Sequence, residues 1–362
     1  LAYDELLAFQ LSLKLLRKNN RKQKGCSMEA EGVLCQKLVA SLPFKLTDGQ
    51  GEVIAEIKQE QQSPYQMMRL LQGDVGCGKT IVALMAMLYG VEAGKQAALM
   101  APTEILALQH AKWIKSVAEP LGITVDVIVG SIKGKKREAV LAGLADGSTN
   151  IMIGTHALFQ EKVVFDSLGL VVIDEQHRFG VKQRSALLQK GAHVDLLLMT
   201  ATPIPRTLTM ALYGDMDNSR LTEKPHGRKP IQTNVMPESK VNPIINRLGQ
   251  TIEKGHKVYW VCPLIEESEI LDLAAVEERY QSLKKLFKGK VALMHGRMKQ
   301  AEREKIMLEF RDGKVDILVA TTVVEVGVDV PKATVMVIEN AERFGLSQLH
   351  QLRGRVGRSD EA

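Results

Sequence analysis

The chain has 362 residues, 45% of them hydrophobic and 25% charged, with a net charge of +6. This length predicts two domains, and the modest basic balance favours a polyanionic partner only weakly. No apolar run approaches the ~20 residues of a membrane helix, no signal-peptide pattern is present, and the four cysteines show neither metal-ligand nor disulfide spacing. Membrane and disulfide-framework classes are thereby excluded, and a reducing cytoplasm is predicted.

Residues 1–41 contain an apolar stripe that predicts a helix. Its leucines, at positions 6, 7, 11, 15 and 16, have helical spacing. Such a stripe is more typical of internal packing than of a partner site.

Segment 73–80 has the pattern of a phosphate-binding loop. Gly73, Gly76 and Gly78 allow the backbone to wrap a phosphate group, with N–H groups pointing inward. Lys79 is placed to reach the β- and γ-phosphates of a nucleoside triphosphate, and the Thr80 hydroxyl to bind Mg²⁺. The loop therefore predicts a triphosphate site but leaves open what the triphosphate is used for.

Short apolar runs alternate with helical stretches through the first part of the chain. They are typical of parallel strands covered on both faces, whose carboxyl ends form the ligand-binding edge of the sheet. The runs are 68–71, 97–100, 151–153, 170–173 and 196–199.

Asp174 and Glu175 follow the run at 170–173. An acidic residue there can hold Mg²⁺ beside the phosphate loop, and its neighbour can orient and deprotonate an attacking water. Alone, such a pair is as often a helix cap or solvated turn. The upstream phosphate loop favours the catalytic interpretation.

A polar segment at 223–230, with two prolines and a glycine, predicts a domain boundary. A second series of apolar runs follows, which predicts a second α/β unit. These runs are 258–261, 291–294, 317–320 and 335–338.

Segment 353–358 interleaves three arginines with glycines. Glycines permit close backbone approach, and arginines supply forked donors for phosphate. An arginine from a second domain can stabilise charge on a transferring phosphoryl group. The alternative is an exposed basic loop.

Together these residues resemble a superfamily 2 helicase motor. Segments 73–80, 101–104, 154–156, 174–177, 200–202, 319–329 and 348–358 resemble motifs I, Ia, Ib, II, III, V and VI, in that order. Within that superfamily, segments 42–47, 174–180, 202–207 and 348–358 resemble the RecG family of branch-migrating DNA helicases. Transcription–repair coupling translocases share two of these segments, but Gln176 and Arg297 favour the RecG family.

The resemblance implies an α/β fold with two tandem RecA-like domains, each a mostly parallel sheet flanked by helices. The expected divisions are 1–41, a helical remnant of an upstream wedge region, 42–224, domain 1, and 225–362, domain 2. The wedge and a C-terminal hairpin are expected outside this chain. The implied activity is ATP-dependent unwinding or translocation of branched or forked DNA, in recombination and repair, with ATP and Mg²⁺ as cofactors.

The resemblance also implies site residues. Phe44, Gln50 and Asp329 are expected at the nucleotide, Thr80 and Asp174 at Mg²⁺, and Glu175 as general base. Gln351, Arg355 and Arg358 are expected to complete catalysis from domain 2 across an interdomain cleft. Backbone contacts to nucleic acid are expected from Thr103, Gln109, Thr155, His156, Thr321 and Thr322.

Two departures from the family pattern concern the nucleotide site. Cys77 occupies a variable position of the loop, and an exposed thiol there predicts sensitivity to alkylation. Gly49 replaces the usual Ala beside Gln50.

A single-stranded DNA-binding protein is a candidate partner, and a cytoplasmic bacterial monomer is expected. An ATP-driven switch and a protein translocase remain alternatives, the latter without its usual preprotein-binding insertion. DNA and RNA are not distinguished by the sequence.

Overall fold

The computed structural model divides the chain into two compact units, Leu1–Pro225 and His226–Ala362. The structure describes residues 4–5, 7–8, 11–12, 15, 25, 27–175, 189–191, 193–201, 216–223, 231–263, 269–287, 290–321 and 330–357.

Unit 1 is built on a parallel sheet. In chain order its elements are α1 (Val33–Ser41), α2 (Asp48–Gln61), β1 (Met68–Gly73), α3 (Lys79–Glu92), β2 (Gln96–Met100), α4 (Glu104–Ala118), β3 (Val125–Ile128), α5 (Gly134–Ala145), β4 (Ile151–Gly154), β5 (Leu168–Ile173), β6 (Asp195–Thr200) and β7 (Asp217–Leu221). The strand order is β3-β4-β2-β5-β6-β1-β7, and every pair is parallel.

The central helix of unit 1 is α3, which follows the glycine-rich loop. Of its 14 residues, 11 are buried, as expected of a helix that is apolar all round. The carboxylate of Glu92, near its C-terminal end, accepts hydrogen bonds from the backbone N–H groups of Gly32, Val33 and Leu34 at 2.7, 3.1 and 2.9 Å. This carboxylate caps the N-terminus of α1 and ties that helix to the core.

Unit 2 contains α6 (Val241–Glu253), β8 (Lys257–Val261), α7 (Glu269–Leu286), β9 (Val291–Met294), α8 (Gln300–Arg311), β10 (Ile317–Ala320), β11 (Ala333–Ile338) and α9 (Leu346–Arg353). Its strands form a parallel sheet in the order β11-β8-β10-β9. The buried ring of Tyr259 on β8 packs against Phe310, with ring centroids 4.9 Å apart. The neighbouring Trp260 donates its indole N–H to Glu339 at 2.8 Å.

The predicted two-unit α/β architecture is confirmed, and each apolar run named from the sequence is a strand. Two strands of unit 1, β3 and β7, were not predicted. The described leucines of the N-terminal stripe, Leu7, Leu11 and Leu15, are exposed, at 44%, 51% and 61%. In these three side chains the expected internal packing is therefore not found. Across the described residues no helix has the length and apolarity to cross a bilayer.

Candidate nucleotide-binding site

The candidate site lies at the carboxyl-terminal edge of the unit 1 sheet. β1 pairs with β6, which pairs with β5, which pairs with β2. Parallel strands end at the same edge, so the loop after β1 and the acidic pair after β5 meet there. Topology thus brings together segments about 100 residues apart in the chain, as ligand sites in open α/β sheets require.

The glycine-rich loop connects β1 to the first turn of α3. Gly78 is the N-cap residue of α3 at φ 91°, and no side chain caps this helix end. Lys79 is largely buried, and its Nζ donates to the carbonyl oxygens of Gly73 at 2.6 Å and Asp74 at 2.9 Å. The arrangement therefore offers an anion uncapped backbone N–H groups and a lysine held over the loop.

The side chain of Gln50 is hydrogen-bonded to the phosphate loop. Its Nε2 donates to the carbonyl oxygen of Cys77 at 2.9 Å, and its Oε1 accepts the backbone N–H of Thr47 at 3.0 Å. The second bond is half of a capping box in which the Gln50 N–H donates to Thr47 Oγ1 at 3.3 Å. Gln50 thereby connects the start of α2 to the phosphate loop.

This arrangement bears on the adenine prediction. The side chain of Gln50 is only 3% exposed, with both ends of its amide engaged, whereas Phe44 is 47% exposed. The Phe44 ring is accessible for contact with a base. For Gln50, contact with adenine requires a local movement that exposes its buried amide.

The environment of Cys77 bears on the predicted sensitivity to alkylation, which was conditional on an exposed thiol. Its side chain is 1% exposed, and burial raises the pKa of its thiol despite the nearby charge of Lys79. Because alkylation requires an accessible thiolate, the condition for a sensitive loop cysteine is not met in this conformation.

Asp174 is held by three hydrogen bonds immediately after β5. Its backbone N–H donates to the Met100 carbonyl at 2.9 Å, and its Oδ1 accepts the Glu175 N–H at 3.0 Å. His110 on α4 lies with Nε2 2.9 Å from Asp174 Oδ2. Burial alone would raise the pKa of this carboxyl, but the hydrogen bond and charge of His110, with the charge of Lys79, lower it. The carboxylate is therefore favoured in its ionised form.

Glu175 has a left-handed backbone conformation, with φ 50°. Outside glycine, such a φ is uncommon and persists where the surroundings enforce it. Its side chain is partly buried. The strained residue is the one predicted as general base.

The residues present fit a triphosphate and a magnesium ion. A Cβ on Gly78 would overlap Gln50 Nε2. The absence of a side chain at this position therefore allows the loop to curve beside Gln50. Thr80, in the first turn of α3, and the ionised Asp174 supply hard oxygen donors, which Mg²⁺ prefers. Among the described residues no group of three His, Cys, Asp or Glu side chains could bind a metal. A Mg²⁺ ion here would thus take most of its ligands from phosphate and water, as is usual for this ion.

The predicted nucleic-acid residues of unit 1 have different environments. Thr103 is the N-cap of α4, where its Oγ1 accepts the Leu106 N–H at 3.4 Å. His156 is exposed. Thr155 is only 2% exposed. The hydroxyl of Thr155 and Oε1 of Gln109 are buried and have no hydrogen-bond partner among the described residues. Direct contact through the Thr155 hydroxyl therefore requires local rearrangement.

Three of the predicted unit 2 residues lie in the described part. Thr321, after β10, is 1% exposed, and Arg355 is 8% exposed. Gln351 lies on α9, and the backbone N–H of Arg355 donates to the Leu352 carbonyl at 2.9 Å. Thr322, Asp329 and Arg358 lie outside the described residues.

Family models match both units. A DEAD/DEAH box helicase model matches residues 47–211, and a helicase conserved C-terminal domain model matches residues 239–360. ATP-dependent DNA helicase RecG of Thermotoga maritima is 50% identical over 363 residues, which cover 100% of the chain and 46% of that protein. The Escherichia coli (strain K12) RecG is 51% identical over 364 residues, covering 99% and 52%. Over its whole length the chain is therefore similar to proteins named RecG. It spans about half the length of the curated relatives that it matches.

Solved structures agree with this assignment. A structure of RecG bound to a three-way DNA junction is 47% identical, with a TM-score of 0.86, and covers 98% of the chain and 47% of that protein. Yeast Dbp5 bound to RNA and ADP BeF3 matches with a TM-score of 0.63 at 17% identity, covering 91% and 85%. This second likeness shows the fold alone. Both units therefore have the RecA-like helicase fold.

Two contributors to the site were not found from the sequence. His110 is 64 positions from the carboxylate that it contacts. Glu223 accepts the Gly49 N–H at 3.1 Å, from 174 positions away. His110 carried a local signal, since it follows the predicted contact Gln109 on an amphipathic helix, but only the tertiary structure gives its partner.

Proposed function

We propose that the chain is the ATP-hydrolysing motor of a DNA helicase that acts on branched DNA, in fork regression and Holliday-junction branch migration during recombination and repair. The observation that carries the proposal is the convergence of Lys79 and the Asp174 carboxylate at one sheet edge, beside an uncapped helix N-terminus. Relatives named RecG, one of them solved with a three-way DNA junction, support the DNA substrate.

Lys79 and Glu175 divide the work at the triphosphate. On ATP binding, Lys79 exchanges the carbonyls of Gly73 and Asp74 for phosphate oxygens, which are stronger acceptors for a cation. Glu175 orients the attacking water and accepts its proton. The carboxylate of Asp174 and the hydroxyl of Thr80 hold Mg²⁺, which supplies charge neutralisation at the phosphates when bound.

We also propose that unit 2 contributes arginines to ATP hydrolysis. Arg355 and Arg358, with Gln351, stabilise the charge of the transferring phosphoryl group, so that hydrolysis depends on both units. Asp329 contacts the ribose or assists closure, and Phe44 and Gln50 bind adenine. Replacing Arg355 by Ala is expected to reduce turnover far more than nucleotide affinity. Equal losses in both would argue against this role.

Nucleic acid binds through backbone phosphates rather than base edges. The proposed contacts are hydroxyl, imidazole and amide groups, which suit phosphate and carry no sequence information. Aromatic residues make up only 4% of the chain, so base stacking is not expected to dominate. The contacts are Thr103, Gln109, Thr155, His156, Thr321 and Thr322.

Single-stranded DNA-binding protein is the proposed protein partner. The proposed working form is a monomer in the cytoplasm, where ATP and chromosomal DNA are available.

The test is the ATPase rate of the 362-residue chain with single-stranded DNA, duplex DNA, forked DNA and RNA as stimulators. A preference for forked DNA is expected. Glu175→Gln should lower the stimulated rate by at least about 100-fold, the usual size of a general-base effect, and Lys79→Ala should abolish turnover. Glu138→Gln, an exposed charge change on α5, is the matched control and should leave the rate unchanged.

Each result separates the candidate functions. Full activity of Glu175→Gln would remove the general-base assignment. Equal stimulation by every nucleic acid, or by none, would favour an ATP-driven switch over a branched-DNA motor. Preference for uninterrupted duplex would favour a transcription–repair type of translocase.

A further inference from the structure

His110 contacts the proposed magnesium ligand Asp174 from helix α4. Its Nε2 lies 2.9 Å from Asp174 Oδ2, and the two side chains are only 12% and 13% exposed. An ionised carboxylate can only accept hydrogen bonds, so the Nε2 atom of His110 carries the proton and donates it. A largely buried, charge-assisted bond of this length is among the stronger polar contacts of the site.

The bond to His110 completes the restraint of the Asp174 carboxylate. Oδ1 accepts the Glu175 N–H at 3.0 Å, and the backbone of Asp174 is bonded to Met100 at the end of β2 at 2.9 Å. Among the described residues, Oδ1 alone would be held without His110, and the carboxylate could turn about its terminal torsion, which is intrinsically soft. Within this part of the chain, His110 is thus the contact that fixes Oδ2.

We propose that His110 is a positioning residue that holds Asp174 in the orientation in which it binds the magnesium shell of the nucleotide. The inference rests on the proposed function, because it presumes that Asp174 serves Mg²⁺. Hydrogen-bond partners of metal-binding carboxylates typically change metal affinity by about 10-fold to 100-fold when removed. An effect of that size on Mg²⁺-dependent nucleotide binding is therefore expected.

The helix that carries His110 gives this contact a second consequence. Thr103 caps the start of α4, and His110 follows seven residues later, about 10 Å along the helix and on nearly the same face. Thr103 and Gln109 are proposed nucleic-acid contacts. One rigid helix therefore joins the proposed DNA contacts to the carboxylate, and loss of His110 should also reduce stimulation of the ATPase by DNA.

A matched pair of variants isolates the hydrogen bond. In His110→Gln the amide nitrogen can occupy the position of Nε2, whereas in His110→Asn the same amide is one methylene too short. The readout is the affinity of mant-ADP, with and without Mg²⁺. We expect His110→Asn to lose about tenfold of the affinity that Mg²⁺ adds, His110→Gln to keep most of it, and neither to change binding without Mg²⁺.

Controls separate positioning from folding. Lys112→Ala, an exposed change on the same helix, should match the wild type in both conditions, and all variants should be compared for thermal unfolding. His110→Asn with wild-type Mg²⁺ dependence would overturn the inference. Equal losses in the Gln and Asn variants would also overturn it, because a donor to Oδ2 would then not be what matters.

Failure of the inference and failure of the proposed function give different results. If Lys79→Ala and Glu175→Gln retain wild-type ATP turnover, the proposed function itself is wrong. If those variants are inactive and His110→Asn binds Mg²⁺–mant-ADP like the wild type, only the positioning role is wrong.

Discussion

Gly78→Ala tests whether the phosphate loop depends on the hydrogen bond from Gln50 to the Cys77 carbonyl. A Cβ at Gly78 would overlap Gln50 Nε2 and lie 3.3 Å from Gln50 Cδ, in a backbone at φ +91°. Gln50 must then move and give up its 2.9 Å bond to the Cys77 carbonyl. The left-handed backbone costs about 1–2 kcal/mol, and a buried amide left without its partner about 1–3 kcal/mol more.

Gly94→Ala is the matched control at the other end of α3. Gly94 has φ +76°, but a Cβ there meets no atom within 4 Å. It should therefore show the backbone cost of about 1–2 kcal/mol alone. Gly78→Ala should lose about 2–5 kcal/mol in total, and its affinity for mant-ADP should fall at least about tenfold, while Gly94→Ala binds normally.

The assays are urea unfolding and mant-ADP titration, extended by one double variant. In a Gln50→Ala background the obstacle is absent, so Gly78→Ala should cost no more than Gly94→Ala does. This non-additivity is the signature of two side chains in direct contact. Equal effects of Gly78→Ala in the two backgrounds, or wild-type nucleotide affinity of Gly78→Ala, would refute the reasoning.

Two further predictions concern buried titratable groups. Burial raises the pKa of Asp195 to about 8 from its ordinary 3.8, so the folded chain holds a proton that the unfolded chain releases, and stability falls as pH rises from about 4 to 8. Asp195→Asn should remove this slope of the unfolding free energy against pH, which is at most about 1.4 kcal/mol per pH unit. The measurement is urea unfolding between pH 5 and 8. Identical slopes for wild type and variant would contradict the prediction. Cys77 is buried with a raised thiol pKa, so iodoacetamide should modify it only under denaturing conditions. Mass spectrometry detects the modification. Rapid modification of the native chain would show that the loop opens.

The strands that were predicted and those that were missed differ in their position in the sheet. Interior strands such as β5 and β6 are buried at every position and read as continuous apolar runs. The missed strands, β3 and β7, are the two edges of the unit 1 sheet. In β7 only Ser219 and Leu221 are buried. An edge strand covered on one side needs no apolar run, so the sequence carries no strong signal for it.

The site divides in a similar way between local and tertiary information. The loop around Lys79 was predictable because its chemistry is set by adjacent residues. The partners of Gln50 and Asp174, Cys77 and His110, are separated from them by 27 and 64 positions. Such contacts depend on how α2 and α4 pack, which no short sequence pattern specifies.

The turn at Glu175 explains how two adjacent carboxylates can serve different ends. Along a strand, successive side chains point to opposite faces, so an acidic pair within β5 would be divided by the sheet. β5 ends at Ile173, and Glu175 adopts φ 50°, which breaks the alternation at the sheet edge. Within the same turn the Glu175 N–H donates to Asp174 Oδ1 at 3.0 Å. The backbone of the proposed base is therefore also a restraint on the proposed metal ligand, and both roles depend on the conformation of this turn.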